Sequence, residues 1–290
     1  MNSPILVWML YLNREVTTEI HNSKEYEKCY ELIHNTVPHA KNIPSNPSSG
    51  ESLRQIIAQM MPLLMMRHRR IPRARWRDHS THNGKHWIEQ MLDHVNPEHH
   101  LRSMIGYHLA WESSLVGMVM VQGKQREVVN IGLGIKQVAV EPRDATVSAY
   151  VESLSHKLTA LEMSFLAPNL GDEVVLRRLC ILLALKSAYI KAIGQPIGFD
   201  WSRLEFNISE ETCSGDGQPL TGWEFRLYKA HLGVQRRGIL VEESYQCVTA
   251  HFRGTQDSKF VWQDNNKDLE SWVQFINIDQ MTNVIPKLTD

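Results

Sequence analysis

The chain has 290 residues, room for one large domain or two halves, and its 42% hydrophobic and 22% charged content is that of an ordinary globular protein. A formal net charge of −1 excludes whole-molecule attraction to nucleic acid or anionic membranes, so any anion must be held by a local cluster. The four cysteines (Cys29, Cys180, Cys213, Cys247) lie far apart with no Cys-x-x-Cys pair, which fits reduced thiols better than a disulfide framework.

The first element is the apolar run Ile5-Leu6-Val7-Trp8-Met9-Leu10-Tyr11-Leu12. It is too short to span a bilayer and lacks the flanks of a secretory leader. It is predicted as a buried first strand, and a cytoplasmic protein without a membrane span is expected. Residues 35–50, rich in Asn, Pro, Ser and Gly, read as a surface loop. Ser49 or Ser52 then caps a predicted helix from about Glu51 to Arg70, with Leu53, Ile56, Ile57, Met60, Leu63 and Leu64 at helical spacing and Pro62 expected to kink it. Met60, Met61, Met65 and Met66 are core filler on this reading.

Met104–Gln122 and Val128–Val140 are strand-like, with a turn predicted at Gly123-Lys124-Gln125. A mostly helical stretch follows from about Ala145 to Gly194. Its last helix, Asp172–Ile193, opens on acidic residues and stops at Gly194. The run Leu179–Leu185 is apolar on all faces, so that helix is predicted to be buried. Arg203–Phe206, Trp223–Tyr228, Ile239–Val241 and Tyr245–Phe252 read as antiparallel strands. Trp272–Ile278 and Met281–Leu288 read as amphipathic closing pieces.

Two polar clusters carry more than one reading. Residues 67–77 hold six arginines: Arg67, Arg69, Arg70, Arg73, Arg75 and Arg77. They suit a solvated helix end, a phosphate-bearing ligand, or nucleic acid with Trp76 as a stacking group. Neutral overall charge weighs against the last. His79, His82 and His86, with Asp78 beside them and His94, His99 and His100 beyond, have a spacing that would hold zinc on a helix. Asn83-Gly84 interrupts such a helix and no cysteine lies nearby, so a polar loop is the simpler expectation.

Lys186-Ser187-Ala188-Tyr189-Ile190-Lys191 resembles the hallmark helix of the Sfp-type 4'-phosphopantetheinyl transferases, in which Lys-Glu is followed after three residues by Lys. Leu158-Thr159-Ala160-Leu161-Glu162-Met163 is similar to the family's Phe-Thr/Ser-x-x-Glu-Trp/Met segment. Phe199-Asp200-Trp201-Ser202-Arg203-Leu204-Glu205-Phe206 is similar to its following strand. Ile131-Gly132-Leu133-Gly134-Ile135 sits where the family has Val-Gly-Ile-Asp-Ile, and Ile105-Gly106-Tyr107-His108 where it has Ile/Val-Ser-His. Trp8 matches an early tryptophan. The resemblance is densest over residues 100–206.

The resemblance implies an α+β fold of two pseudo-symmetric α/β halves with antiparallel sheets: 1–123, and 124–290 carrying the hallmark helix. It implies coenzyme A in the cleft between them, magnesium on its diphosphate, and a carrier-protein serine attacking the β-phosphate. His108 matches the histidine that contacts coenzyme A, Lys186 and Lys191 match the hallmark lysines, and Arg67, Arg70 and Arg73 fall where basic residues meet the phosphates. The metal ligands are replaced: Gly134 stands for Asp, Lys136 for a frequent acid and Ser187 for Glu. Magnesium needs oxygen ligands, mostly carboxylates, and these substitutions supply almost none. Glu112 and Glu162, the latter aligned with a position where the family also keeps an acid, are the candidate surrogates, and Tyr107 replaces the serine before the histidine.

The expectation is therefore a relative that no longer performs magnesium-dependent transfer, with no metal ligands assigned. Its cleft would serve cyclisation, isomerisation or dehydration of a small molecule or carrier-bound intermediate in polyketide or nonribosomal peptide metabolism, through His108, Glu112, Lys186, Lys191 and Tyr107. Arg67, Arg70, Arg73, His108, Lys186 and Lys191 would bind coenzyme A if it is retained. The alternatives are an active transferase with surrogate ligands and a non-catalytic binder of coenzyme A or of an acyl or peptidyl carrier protein. Nucleic acid is not an expected partner.

Overall fold

The computed structural model describes residues 4–12, 23–91, 104–195, 198–254, 257–263, 265–284 and 287. His94, His99 and His100 lie outside them. In chain order the elements that matter are β1 (Ile5–Tyr11), α1 (Ser23–Thr36), α2 (Gly50–His68), β2 (Trp76–Ser80), β3 (His86–Gln90), β4 (Met104–Glu112), β5 (Leu115–Gly123), α3 (Gln125–Val128), β6 (Ile131–Gln137), α4 (Val147–Leu154), α5 (Ala160–Ser164) and α6 (Asp172–Ile193). They continue as β7 (Leu204–Asn207), β8 (Thr212–Gly215), β9 (Gln218–Pro219), β10 (Trp223–Arg236), β11 (Ile239–Phe252), β12 (Lys259–Gln263), α7 (Asn266–Glu270), β13 (Val273–Asn277) and α8 (Ile278–Thr282).

Two sheets dominate. The first has the order β13-β1-β5-β4-β3-β2 and the second β12-β10-β11-β6. Each is antiparallel through its centre and ends in one parallel edge strand, β13 beside β1 and β12 beside β10. Each is backed on its outer face by a long helix. Leu53, Ile56, Ile57, Met60 and Met61 of α2 pack against Tyr107, Met118 and Met120 of the first sheet. Leu179, Leu182 and Leu183 of α6 pack against Phe225, Val248 and Ala250 of the second. The inner faces meet in a third cluster that includes Met9, Val119, Leu133, Ile135 and Tyr245. Alternation along β4 therefore sends Tyr107 toward α2, and His108, Ala110 and Glu112 the other way.

Several sequence expectations need correction. Met104–Gln122 is a hairpin, turned at Ser113-Ser114 between Glu112 and its partner Leu115; Ser113 takes φ 49°, which no glycine signalled. Residues 125–128 are a short helix where a turn and strand were predicted. The loop at 35–50 begins inside α1. Ile239–Val241 and Tyr245–Phe252 are one strand, and Trp272–Ile278 is mostly β13, whose pairing with β1 draws a strand from beyond residue 123 into the first sheet. The histidines at 79, 82 and 86 lie on and between β2 and β3, an antiparallel hairpin, not on a helix. Ser49 does cap α2 by accepting from Ser52 N at 3.3 Å, and the helix continues past Pro62. Gly194 ends α6 in the left-handed region at φ 71°. Among the described residues no helix is long and apolar enough to cross a membrane.

Candidate functional site: a cluster of lysines between β4, β6 and α6

β6 is the edge strand of its sheet and runs unusually close to α6. A β-carbon on Gly132 would collide with the Ala188 carbonyl oxygen and lie 2.6 Å from Ala192 N. One on Gly134 would collide with the Ala184 carbonyl oxygen and lie 2.9 Å from its carbon and 3.0 Å from Ala188 N. Two glycines on one strand face thus meet Ala184, Ala188 and Ala192, spaced one turn apart on the helix. Lys136, next on that strand face, is the first residue with room for a side chain.

Lys136 Nζ donates to both oxygens of Glu112, at 3.0 and 2.9 Å, and Gln137 N donates to the same carboxylate at 3.4 Å. The pair is one-quarter exposed on each side. Lys191 reaches over from α6 and donates to the Leu133 carbonyl at 3.3 Å. Burial pushes its ammonium down to about 8; Lys136 adds to the fall and Glu112 opposes it. His108 lies further along β4. Burial first, then the charges of Lys191 and Lys85 and the His86 ring, hold it well below the usual imidazole range, so the ring is neutral near pH 7. Its Nδ1 is buried without a partner among the described residues. Glu112 and Lys136 thus act on Lys191, and Lys191 in turn on His108; Ser187, one helical turn before Lys191, is only 8% exposed.

Lys85, which the sequence did not single out, closes the far end. Its ammonium donates to the carbonyl of Ala192 while Asn83 Nδ2 donates to that of Ile193 at 3.3 Å, so the β2–β3 turn caps α6. Burial brings Lys85 down to about 7. No sequence signal exposes this contact, because the partners are 107 residues apart. Cys180 donates to the Gln137 carbonyl at 3.3 Å, and burial raises its thiol to about 12, which makes it inert.

Other expected site residues are not brought here. Lys186 has no exposure and donates to the carbonyls of Lys157, Trp201 and Leu204 at 2.7, 2.9 and 2.7 Å. Its ammonium lies 2.6 Å from Glu162, also fully buried, whose carboxylate accepts from Thr159 N and Phe206 N, each at 2.9 Å. Burial pushes Lys186 down and Glu162 up, and their pairing pulls each back. Both are buried framework residues that join α5, α6 and β7. Tyr107 is buried on the opposite face of β4 from His108, its hydroxyl pKa raised by that burial and by Asp78. Arg73 is spent on Asp78, the Thr36 carbonyl and the face of Trp76, 4.4 Å from the ring centroid. Trp76 is buried, which removes the stacking platform for nucleic acid. Arg67 and Arg70 are exposed around the C-terminal end of α2, the helix that backs the other face of the first sheet.

Over 195 residues the chain is 29% identical to the 4'-phosphopantetheinyl transferase pptA of Paxillus involutus, covering 65% of this chain and 71% of that protein. The chain is phosphopantetheinyl transferase-like. The mixed α/β architecture with largely antiparallel sheets is compatible with that relationship. No protein-family model matches the chain.

The donor set of this phosphopantetheinyl transferase-like cleft does not fit magnesium. Among the described residues its one carboxylate, Glu112, is bridged by an ammonium, position 134 admits no side chain, and Glu162 is sealed in the core. Among the described residues no three His, Cys, Asp or Glu side chains gather closely enough to hold a metal. A hard dication needs several oxygen ligands, and both oxygens of Glu112 are already engaged by the Lys136 ammonium.

Proposed function

We propose that this phosphopantetheinyl transferase-like protein does not carry out magnesium-dependent transfer, and that its cleft performs acid/base chemistry on a small molecule or an intermediate borne on coenzyme A or a carrier protein. The observation that carries the reading is the contact of Gly134 with the Ala184 carbonyl, which leaves no space for a metal-binding side chain at position 134. The neutral His108 ring, whose Nδ1 has no partner among the described residues, would accept a hydrogen bond from substrate and act as the base. The Lys191 ammonium is suited to steady the oxyanion that develops and to return a proton. Cyclisation, isomerisation and dehydration need no more than these two groups and a shaped cleft. The two-halved organisation divided near residue 123 belongs to the same reading.

Incubation with coenzyme A, magnesium and an apo carrier protein tests it, read by the carrier's mass. The carrier is expected to stay unmodified, and gain of a phosphopantetheine arm at a useful rate overturns the reading. A second reading, an active transferase, is favoured by what its Paxillus relative is called. It requires that mass gain, and in this chain the gain would have to arise without the acids at 134 and 187.

A further inference from the structure

The hairpin of β10 and β11 outruns its sheet. β12 pairs with β10 only as far as Tyr228, and β6 with β11 only from Tyr245. The remaining two-stranded arm runs to a tight turn at Arg237 and Gly238, both in the left-handed region at φ 50° and 79°. Just past the turn stand Ile239, Leu240 and Val241, 68%, 76% and 41% exposed. They are the only consecutive run of exposed large apolar side chains among the described residues. Such a run on an open strand edge is a template for another strand.

Strand geometry fixes what this edge can pair with. Ile239 closes the turn opposite Arg236, so its backbone groups and those of Val241 face β10, while Leu240 and Glu242 turn theirs outward. Ser244, next in that outward series, gives its carbonyl to Val138 N at 2.7 Å, and there the cover from β6 stops. Among the described residues no strand pairs with Leu240 or Glu242 on that side. The order Arg236-Arg237-Gly238-Ile239-Leu240-Val241-Glu242-Glu243 puts cations before the apolar triplet and carboxylates after it. Arg236 and Glu243 are joined within the arm at 2.9 Å, and Arg237 and Glu242 are the exposed charges. The segment is complementary to its own reverse.

We propose that this arm pairs antiparallel with the arm of a second copy of the chain, about a two-fold axis at Leu240. Leu240 exchanges both backbone hydrogen bonds with its counterpart, and the two leucine side chains meet on the outer face of the ribbon. On the other face Ile239 of each copy packs against Val241 of the other, and Arg237 comes beside the other copy's Glu242. Moving the axis by one residue sets Leu240 against Glu242 or against Gly238, so the Leu240 register alone matches all three apolar side chains with apolar ones. The contact is one short strand from each copy, so the dimer is weak and reversible.

Sedimentation velocity of the full chain over a concentration series reaching the high-micromolar range tests this. The wild type is expected to pass from monomer to dimer as concentration rises. Leu240→Lys and Leu240→Glu, each alone, set like charges face to face and should raise the dissociation constant about fivefold or more. An equimolar mixture of the two should associate at the wild-type level or better, because position 240 faces itself across the axis. The side chain is exposed, so circular dichroism and melting of both variants should match the wild type. A wild type that stays monomeric throughout overturns the proposal and leaves the arm to an extended segment of another protein. A dimer that both charged variants retain undiminished, or a mixture that associates no better than either variant alone, overturns it as well.

Discussion

Gly134 and Ala184 pack backbone to backbone: the helix carbonyl occupies the place where a side chain at 134 would begin. On the function proposed above, the missing acid at position 134 and the tight packing of α6 on β6 are one and the same feature.

Gly134→Ala should therefore destabilise the fold by about 1–3 kcal/mol, the usual cost of overpacking a core, and Gly134→Asp by more. Urea denaturation measures both. The double substitution Gly134→Asp/Ser187→Glu, which restores the acids in sequence, should show no stabilisation by magnesium in thermal melts. A magnesium-dependent rise in melting temperature would contradict the close strand–helix contact.

Lys186 and Glu162 predict a different outcome. Removing one partner strands a buried charge, so Lys186→Met should cost about 3–5 kcal/mol in denaturant titrations. The joint replacement Lys186→Met/Glu162→Leu should recover part of that loss, because neither charge then remains. Lys191→Met, at a half-buried site of the cleft, should cost far less. Equal losses for Lys186→Met and Lys191→Met would remove the distinction drawn between framework and cleft lysine.

His251 sets an acid limit on stability. It is buried, its Nε2 donates to the Glu127 carbonyl at 2.7 Å, and burial lowers it to about 4 from the ordinary 6.5. Between those values the unfolded chain binds the proton and the folded chain does not, so stability is lost as pH falls through that window, by at most about 1.4 kcal/mol per pH unit. His251→Gln, which keeps a donor for Glu127, should have a shallower slope from pH 6.5 to 4 in denaturation curves collected across that range.

What the amino-acid order determines alone is whatever depends on neighbours along the chain. The cap at Ser49, the span of α6 to Gly194 and the apolar β1 follow from local hydrogen bonding and periodicity, so they could be read directly; the lysine frame from Lys186 to Lys191 stood out only through its resemblance to a family motif. The glycines at 132 and 134 and the alanines at 184, 188 and 192 were also in view, though nothing local says that they meet. Tertiary packing alone decided which residues share the cleft. Strand alternation turned Tyr107 away from His108, and burial drew Lys186 into a knot with Glu162. A hairpin a hundred residues distant placed Lys85 at the end of α6. A side chain's chemistry is set by its solvent exposure and by the charges facing it, and those are contributed by segments that meet only when the sheets and helices pack.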